Sequence, residues 1–315
     1  MLTGELFAVA ALLLFSVNII LTKAAAARLK LDLGFLVSVS VNVLFVALLF
    51  LAHLAWRRDT LVFQSQGFVL FFLAGVFSTW LGRWFFLESV VQFGPSRASI
   101  FQITSPLFTA VFAWAFLHEA LQPLELAGMG LAMAGLLLVM PGAAGAGRTK
   151  VSVAPGLAHA RAPVPDGRSR WLQSALVLGI GSSIAYSLGY IFRGAGIRRC
   201  DEALLGALIG ASAGLVLHAA FSRDKRQLLG KLRAADRRGV LMFAVSGVLT
   251  ISAQTCLIVS LKYIPVSVAA LITLCTPVLV FPMSYLLFKN SEKITALTLL
   301  GGSLTLAGVA LIVAR

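Results

Sequence analysis

The sequence predicts an all-α membrane protein: ten transmembrane helices arranged as two inverted five-helix repeats. Three observations carry this. First, 59% of the 315 residues are apolar and only 12% are charged, with a mean hydropathy of +0.94. A soluble domain is about half apolar and a quarter charged, so this chain lacks the charge to coat a water-facing surface. Second, ten segments approach the length of about 20 apolar residues that a helix needs to cross the hydrocarbon core. Third, the block from Gly75 to Val139 recurs from Gly247 to Val313. No alternation of period two competes with the helical reading, as a barrel would require.

Taken in order, the first segment covers roughly 3–22. No Lys or Arg precedes it, and its apolar run from Leu6 to Thr22 is long for a signal peptide, so it is expected to stay as helix 1. Segments follow at 34–56, 68–92, 97–117 and 124–141. The stretch 142–170 then breaks the pattern with Gly, Ala, Pro and Arg, the composition of a flexible linker. Five more segments follow, at 171–192, 202–221, 240–261, 264–288 and 294–314. Residues 1–141 are therefore expected to form one repeat and 171–315 the other, joined by the 142–170 linker. An odd number of spans per half inserts the halves with opposite orientations. Membrane-embedded repeats of this kind are the build of secondary transporters, whose substrate sites lie between the halves.

The repeated block has internal landmarks. A long apolar helix ends at Gly94-Pro95 or Ile264-Pro265. The next helix has a proline inside it, Pro106 or Pro277, expected to kink it. A glutamate follows, Glu119 or Glu292, and then a helix with glycines seven apart, Gly128 and Gly135 or Gly301 and Gly308. With G-P-S-R-A-S and H-E in the first half, and Y-I-P-V-S-V-A, T-P and E-K-I-T in the second, the chain resembles the EamA-like branch of the drug/metabolite transporter superfamily. The resemblance covers nearly everything outside the linker. It implies a mover of small metabolites or drugs, often outward, with a cavity lined mainly by helices 1, 3, 4, 6, 8 and 9. It does not imply a particular substrate.

The net charge of +14 does not point to nucleic acid. The basic residues lie in loops between apolar spans, where lipid headgroups account for them. Of 26 Lys and Arg, 18 follow odd-numbered spans (Arg97, at the very start of the fourth span, among them), seven follow even-numbered spans or end the chain, and Arg83 lies deep inside a span. The charge rule then puts both termini outside, whereas the family resemblance puts both in the cytoplasm; the family placement is the one expected. Cys200, Cys256 and Cys275 form no CxxC pair, so no metal site or disulfide framework is indicated. No cofactor is implied.

Arg83 is the sharpest candidate for function. An arginine at bilayer depth costs about 2.5–3.5 kcal/mol to insert and should face the bundle interior or water. It is expected either to hold an anionic group of a small-molecule substrate or to bond carbonyls freed by Pro106 and Pro277. Ser99, Gln102, Pro106 and Thr109 form one stripe on helix 4, and Thr273, Pro277 and Ser284 another on helix 9. Such polar stripes line a cavity or bond their own helix backbone. Asn18, Trp80, Tyr186 and Gln254 complete the candidate binding residues; Tyr190 reads better as an interface anchor. Glu119 and Glu292 are expected to be structural, complementing the N-terminus of the next helix.

Gly210 to Gly214 spells G-x-S-x-G beside His218, but mid-helix, where hydrolases need a strained turn. Gly206, Gly210 and Gly214 are expected to form a packing stripe instead. His53 and His218 read as interfacial or packing residues. No Walker motif is present, so no ATPase is expected. The function expected is a secondary transporter, an exporter, working by alternating access within the lipid bilayer. Proton antiport and facilitated diffusion are both open. A membrane-embedded enzyme would need a converging acid, base or metal set, which the spans do not supply. A non-transporting membrane partner is the other alternative.

Overall fold

A computed structural model describes residues 2–29, 31–57, 64–93, 102, 104–119, 122–146, 168–221, 235–276, 278–280, 283 and 296–313. Every regular element among these is helical. They are α1 (Leu2–Ala26), α2 (Leu31–Arg57), α3 (Ser65–Ala74), a π-helical stretch (Gly75–Gly82), α4 (Arg83–Phe93), α5 (Ser105–Leu117), α6 (Pro123–Ala146), α7 (Arg168–Arg199), α8 (Ala203–Phe221), α9 (Arg237–Ser260), α10 (Val266–Leu274) and α11 (Ala296–Val313). Five helical segments among the described residues are long and apolar enough to cross a membrane: Thr3–Ala26, Leu33–Trp56, Ser65–Phe86, Ala203–Phe221 and Arg237–Ser260. The other segments that the sequence predicts fall on α7, on shorter apolar helices, or partly outside the described residues. Of the 142–170 linker, the first residues continue α6 to Ala146 and the last begin α7 at Arg168; residues 147–167 lie outside the described set.

The helices gather into two compact units, each containing pieces of both sequence halves. One comprises Met1–Trp80 with Gly189–Ala269, the other Leu81–Leu188 with Ala270–Arg315. In the first, α1 runs antiparallel along α9: Gly4 lies against Tyr263 and Ile264, and Gly239 against Arg28 and Leu29. Ala25, Leu29, Leu33 and Phe243 form a buried cluster that includes the start of α2. Asn42, with its amide nitrogen turned toward them, donates to the Ser38 and Gly247 carbonyls at 2.8 and 2.6 Å. α8 packs on α3 through its glycine stripe. Gly206 abuts Phe71, Gly75 meets the Gly210 carbonyl, and Gly214 abuts Thr79. G-x-S-x-G is thus a packing seam, not a nucleophile elbow.

In the second unit, α6 and α11 cross antiparallel at their paired glycines. Gly135 faces Thr305 and the Gly301 carbonyl, and Gly308 faces Ala132 and the Gly128 carbonyl. Lipid tails are as apolar as leucine, so helices in a bilayer associate by close packing of small residues rather than by hydrophobic drive. The outward faces fit that solvent. Leu44, Leu48, Leu51 and Trp56 of α2 are all 60% or more exposed, a surface untenable in water and suited to hydrocarbon.

Candidate functional site

A chain of polar side chains runs through the second unit between Arg83, residue 102, α5 and α7. Gln102 Nε2 donates to Ser182 Oγ at 2.6 Å, and Ser182 Oγ donates to the Gly82 carbonyl at 3.2 Å. Gly82 ends the π-helical stretch, and its carbonyl adjoins Arg83, the first residue of α4. The Arg83 side chain is half-buried, within electrostatic reach of Tyr186. Tyr186 stands one turn beyond Ser182 on α7. The Phe85 ring packs there against Gly181, 3.5 Å from where a Cβ would sit, an ordinary contact distance.

Beneath this, serines zip α5 to α7. Ser105 and Ser187 share a hydroxyl–hydroxyl bond of 3.1 Å, and Ser187 Oγ reaches the Ser105 carbonyl at 2.8 Å. Ser187 also lies 2.7 Å from the Ser183 carbonyl, and Thr109 donates to the Ser105 carbonyl at 2.9 Å. Such bonds average about 0.6 kcal/mol in membrane proteins. They fix helix register more than they add stability. The arrangement offers one cation, an amide, a phenol and several hydroxyls: hydrogen-bonding chemistry for a polar or anionic small molecule. No group of three His, Cys, Asp or Glu with metal-ligand geometry occurs among the described residues.

The structure thus brings together Arg83, Gln102 and Tyr186 of the expected residues, with Ser182 joining them. Asn18 and Gln254 belong to the first unit. Asn18 Oδ1 accepts from Ser246 Oγ at 2.6 Å, and Thr22 lies 3.1 Å from the same hydroxyl. Gln254 is two turns further along α9. Trp80 packs on Phe221 at 4.9 Å between ring centroids. Thr273 is buried and donates to the Ala270 carbonyl at 3.0 Å, bonding its own helix. His218 meets Phe35 edge-on, and His53 pairs with Glu202 at 3.8 Å. Ser99, Pro277 and Glu292 lie outside the described residues.

Pro106 differs from its expected place. It stands in the first turn of α5, not its interior, where a missing N–H breaks no helical hydrogen bond. Glu119 follows a left-handed His118 (φ 54°), and its own N–H closes the end of α5 on the Ala113 carbonyl at 3.1 Å. Glu125 caps the next helix: its carboxylate accepts from the Gln122 N–H at 2.7 Å and is 2% exposed. The Gln122-Pro123-Leu124-Glu125 run carried that signal, with proline at the first helical position and glutamate two residues later.

Sequence reasoning missed Arg193. It read as a loop residue because the sixth span was expected to end at 192, but α7 continues to Arg199. Arg193 is 7% exposed, and its Nη2 donates to Ser78 Oγ at 2.8 Å. Ser78 lies mid-way along the π-helical stretch, which nothing in the apolar pattern had signalled.

The EamA-like transporter family matches residues 2–140 and 173–314, both halves of the chain. The chain belongs to the EamA-like transporter family. This EamA-like transporter shares its fold with a protein of solved crystal structure, at a TM-score of 0.70, covering 99% of this chain and 98% of that one with 16% sequence identity. No curated protein matches the sequence. The family match establishes a multi-pass membrane transporter of the drug/metabolite type with an internal repeat, acting on a small molecule within the bilayer. The family is one of transporters, not of enzymes.

Proposed function

We propose that this transporter exports a small metabolite or drug with a polar or anionic group, by alternating access around a central cavity between two inverted five-helix repeats. Arg83, Gln102 and Tyr186 are the residues we assign to substrate. The observation that carries this is the Gln102–Ser182–Gly82 hydrogen-bond chain ending beside Arg83, since intramembrane cations mark substrate paths by default. Asn18, Trp80, Gln254, Thr273 and Ser99 are kept as further contacts on the expectation from sequence.

The packing supports two inverted repeats. Span 1 on span 8 has its counterpart in span 6 on span 3, where Gly189 abuts Ser78 and Phe192 abuts Phe77. Span 2 on span 8 has its counterpart in span 7 on span 3, and the final helices of the two halves pair with each other, antiparallel. Both termini are assigned to the cytoplasm, following the family resemblance over the loop charges.

The test is a metabolite survey of cells and medium with and without expression, run alongside Arg83→Ala. A compound enriched in the medium by the native chain and not by the variant supports export. Unchanged pools in both compartments, with folded protein in the membrane, overturn it.

A further inference from the structure

The helix from Ser65 to Phe93 changes register in its middle. Between Gly75 and Gly82 it is π-helical, a form that is rare and concentrates at functional sites. A π stretch carries one residue more than the α ladder it interrupts. Relocating that residue along the helix therefore turns the segment between its old and new places by one α-helical step.

Three features mark this stretch. The buried Arg193 donates to Ser78 Oγ at 2.8 Å, while Ser78 donates to the Ala74 carbonyl at 2.7 Å. Thr79 Oγ1 is buried with no hydrogen-bond partner among the described residues. In an α turn, a threonine hydroxyl reaches the carbonyl four residues back, as Thr109 does on α5. Within the π stretch Ser78 makes that bond and Thr79 does not, so the stretch holds one unsatisfied polar group. Finally, Gly189 and Gly214 let the neighbouring helices close on Ser78 and Thr79, while Phe77 and Trp80 pack on Phe192 and Phe221, the ring pairs that a turning backbone has to part.

We propose that this stretch is a register switch. In one state the extra residue sits at Gly75–Gly82. In the other it has passed toward Phe93, and α4 has turned by about 100° and advanced by about 1.5 Å. Arg193, through Ser78, is the positioning residue that holds the π form. The turn carries Arg83, the first residue of α4, between two directions. This use of Arg83 rests on the transporter reading; the switch itself does not.

The experiment places single nitroxide labels at positions 83 to 88, in a chain whose Cys200, Cys256 and Cys275 are replaced by alanine. Collision with oxygen then reports lipid exposure of each label in nanodiscs. With Ser78 and Arg193 intact, the maximum should fall at position 84, where Trp84 is 53% exposed. Arg193→Gln and Ser78→Ala should each move the maximum by one position, a phase shift of about 100°. Arg193→Lys, which keeps the donor charge, should restore the native phase at least in part. Ser78→Ala removes a single hydroxyl and decides the matter where Arg193→Gln does not fold. An unmoved maximum in monodisperse Ser78→Ala protein overturns the switch. No transport is measured, so failure here is distinct from failure of the proposed function.

Discussion

Gly308 of α11 lies on the backbone of α6 so closely that a Cβ there would stand 2.6 Å from the Gly128 carbonyl oxygen. Gly135 and Gly301 meet in the same way one repeat interval further along, with 2.5 Å from the Gly135 Cβ position to the Gly301 carbonyl. The seven-residue spacing of each pair is two helical turns, which puts both glycines on one face. Because the contact order reverses between the helices, the same motif from the two halves interlocks with itself.

Gly308→Leu should therefore destabilise this EamA-like transporter. The obstructing atoms are backbone and cannot rotate away. Overpacking of this kind costs about 1–3 kcal/mol, read as a lower melting temperature in detergent. Gly130, on the same helix α6, is the control. Nothing lies within 4 Å of its Cβ position, and Gly130→Ala should be neutral or stabilising by up to about 1 kcal/mol from helix propensity. Equal effects of the two substitutions would show that the crossing does not depend on the glycine.

Both glycine pairs were legible in the sequence as motifs, and so were the breaks, the repeat and Arg83. Their partners were not. That Gly135 meets Gly301, or that Arg193 reaches Ser78 across 115 positions, depends on helix pairing that periodicity does not encode. Where the sequence misled, the cause was local. The sixth span runs on past 192, and Arg193 is buried within α7 rather than opening a loop. Glu125, inside the first turn of α6, caps that helix on the Gln122 N–H, a role that the spacing of the glutamates did not assign to it. A π-helical stretch leaves the apolar pattern almost unchanged, so Gly75–Gly82 had no signature at all.

Ser182→Ala should separate Gln102 from the Gly82 carbonyl. One intramembrane hydrogen bond contributes about 0.6 kcal/mol and at most about 1.7, so the melting temperature should fall only slightly. Export of the responsive compound should weaken more, because Gln102 loses its anchor beside Arg83. A large stability loss with unchanged export would make Ser182 a packing residue alone.

Orientation is open to a direct test. A Lys231→Cys substitution, in the basic loop after the seventh span, should be labelled by an impermeant thiol reagent in intact cells if both termini are cytoplasmic. Protection in cells and labelling in lysed membranes would give the decision to the charge rule.

Asp236 begins α9, and its carboxyl is held below the usual carboxylate range by the Arg238 N–H bond and then by Arg28, 3.4 Å away. A depressed folded value means the contribution is present above the ordinary range and is lost as pH falls through the folded value. Asp236→Asn keeps a cap oxygen but not the charge. Its melting temperature should lie slightly below that of the native chain at neutral pH, and the gap should close below about pH 4. A gap that persists unchanged in acid would mean the charge is not the stabilising feature.

Arg83→Ala carries the most weight. If the guanidinium holds an anionic group of the substrate, removing it takes away an intramembrane charge that costs about 2.5–3.5 kcal/mol to insert, so folding should survive while export is lost. Arg83→Lys keeps the charge but loses the planar fork and should export in part. If Arg83 instead satisfies protein carbonyls, Arg83→Ala leaves acceptors unpaired at about 1–3 kcal/mol each, and the melting temperature should fall along with export. The two measurements on purified protein, melting temperature in detergent and movement of the responsive compound in liposomes, separate these outcomes. Normal movement with a normal melting temperature would remove Arg83 from both roles and leave it as a side chain reaching for water.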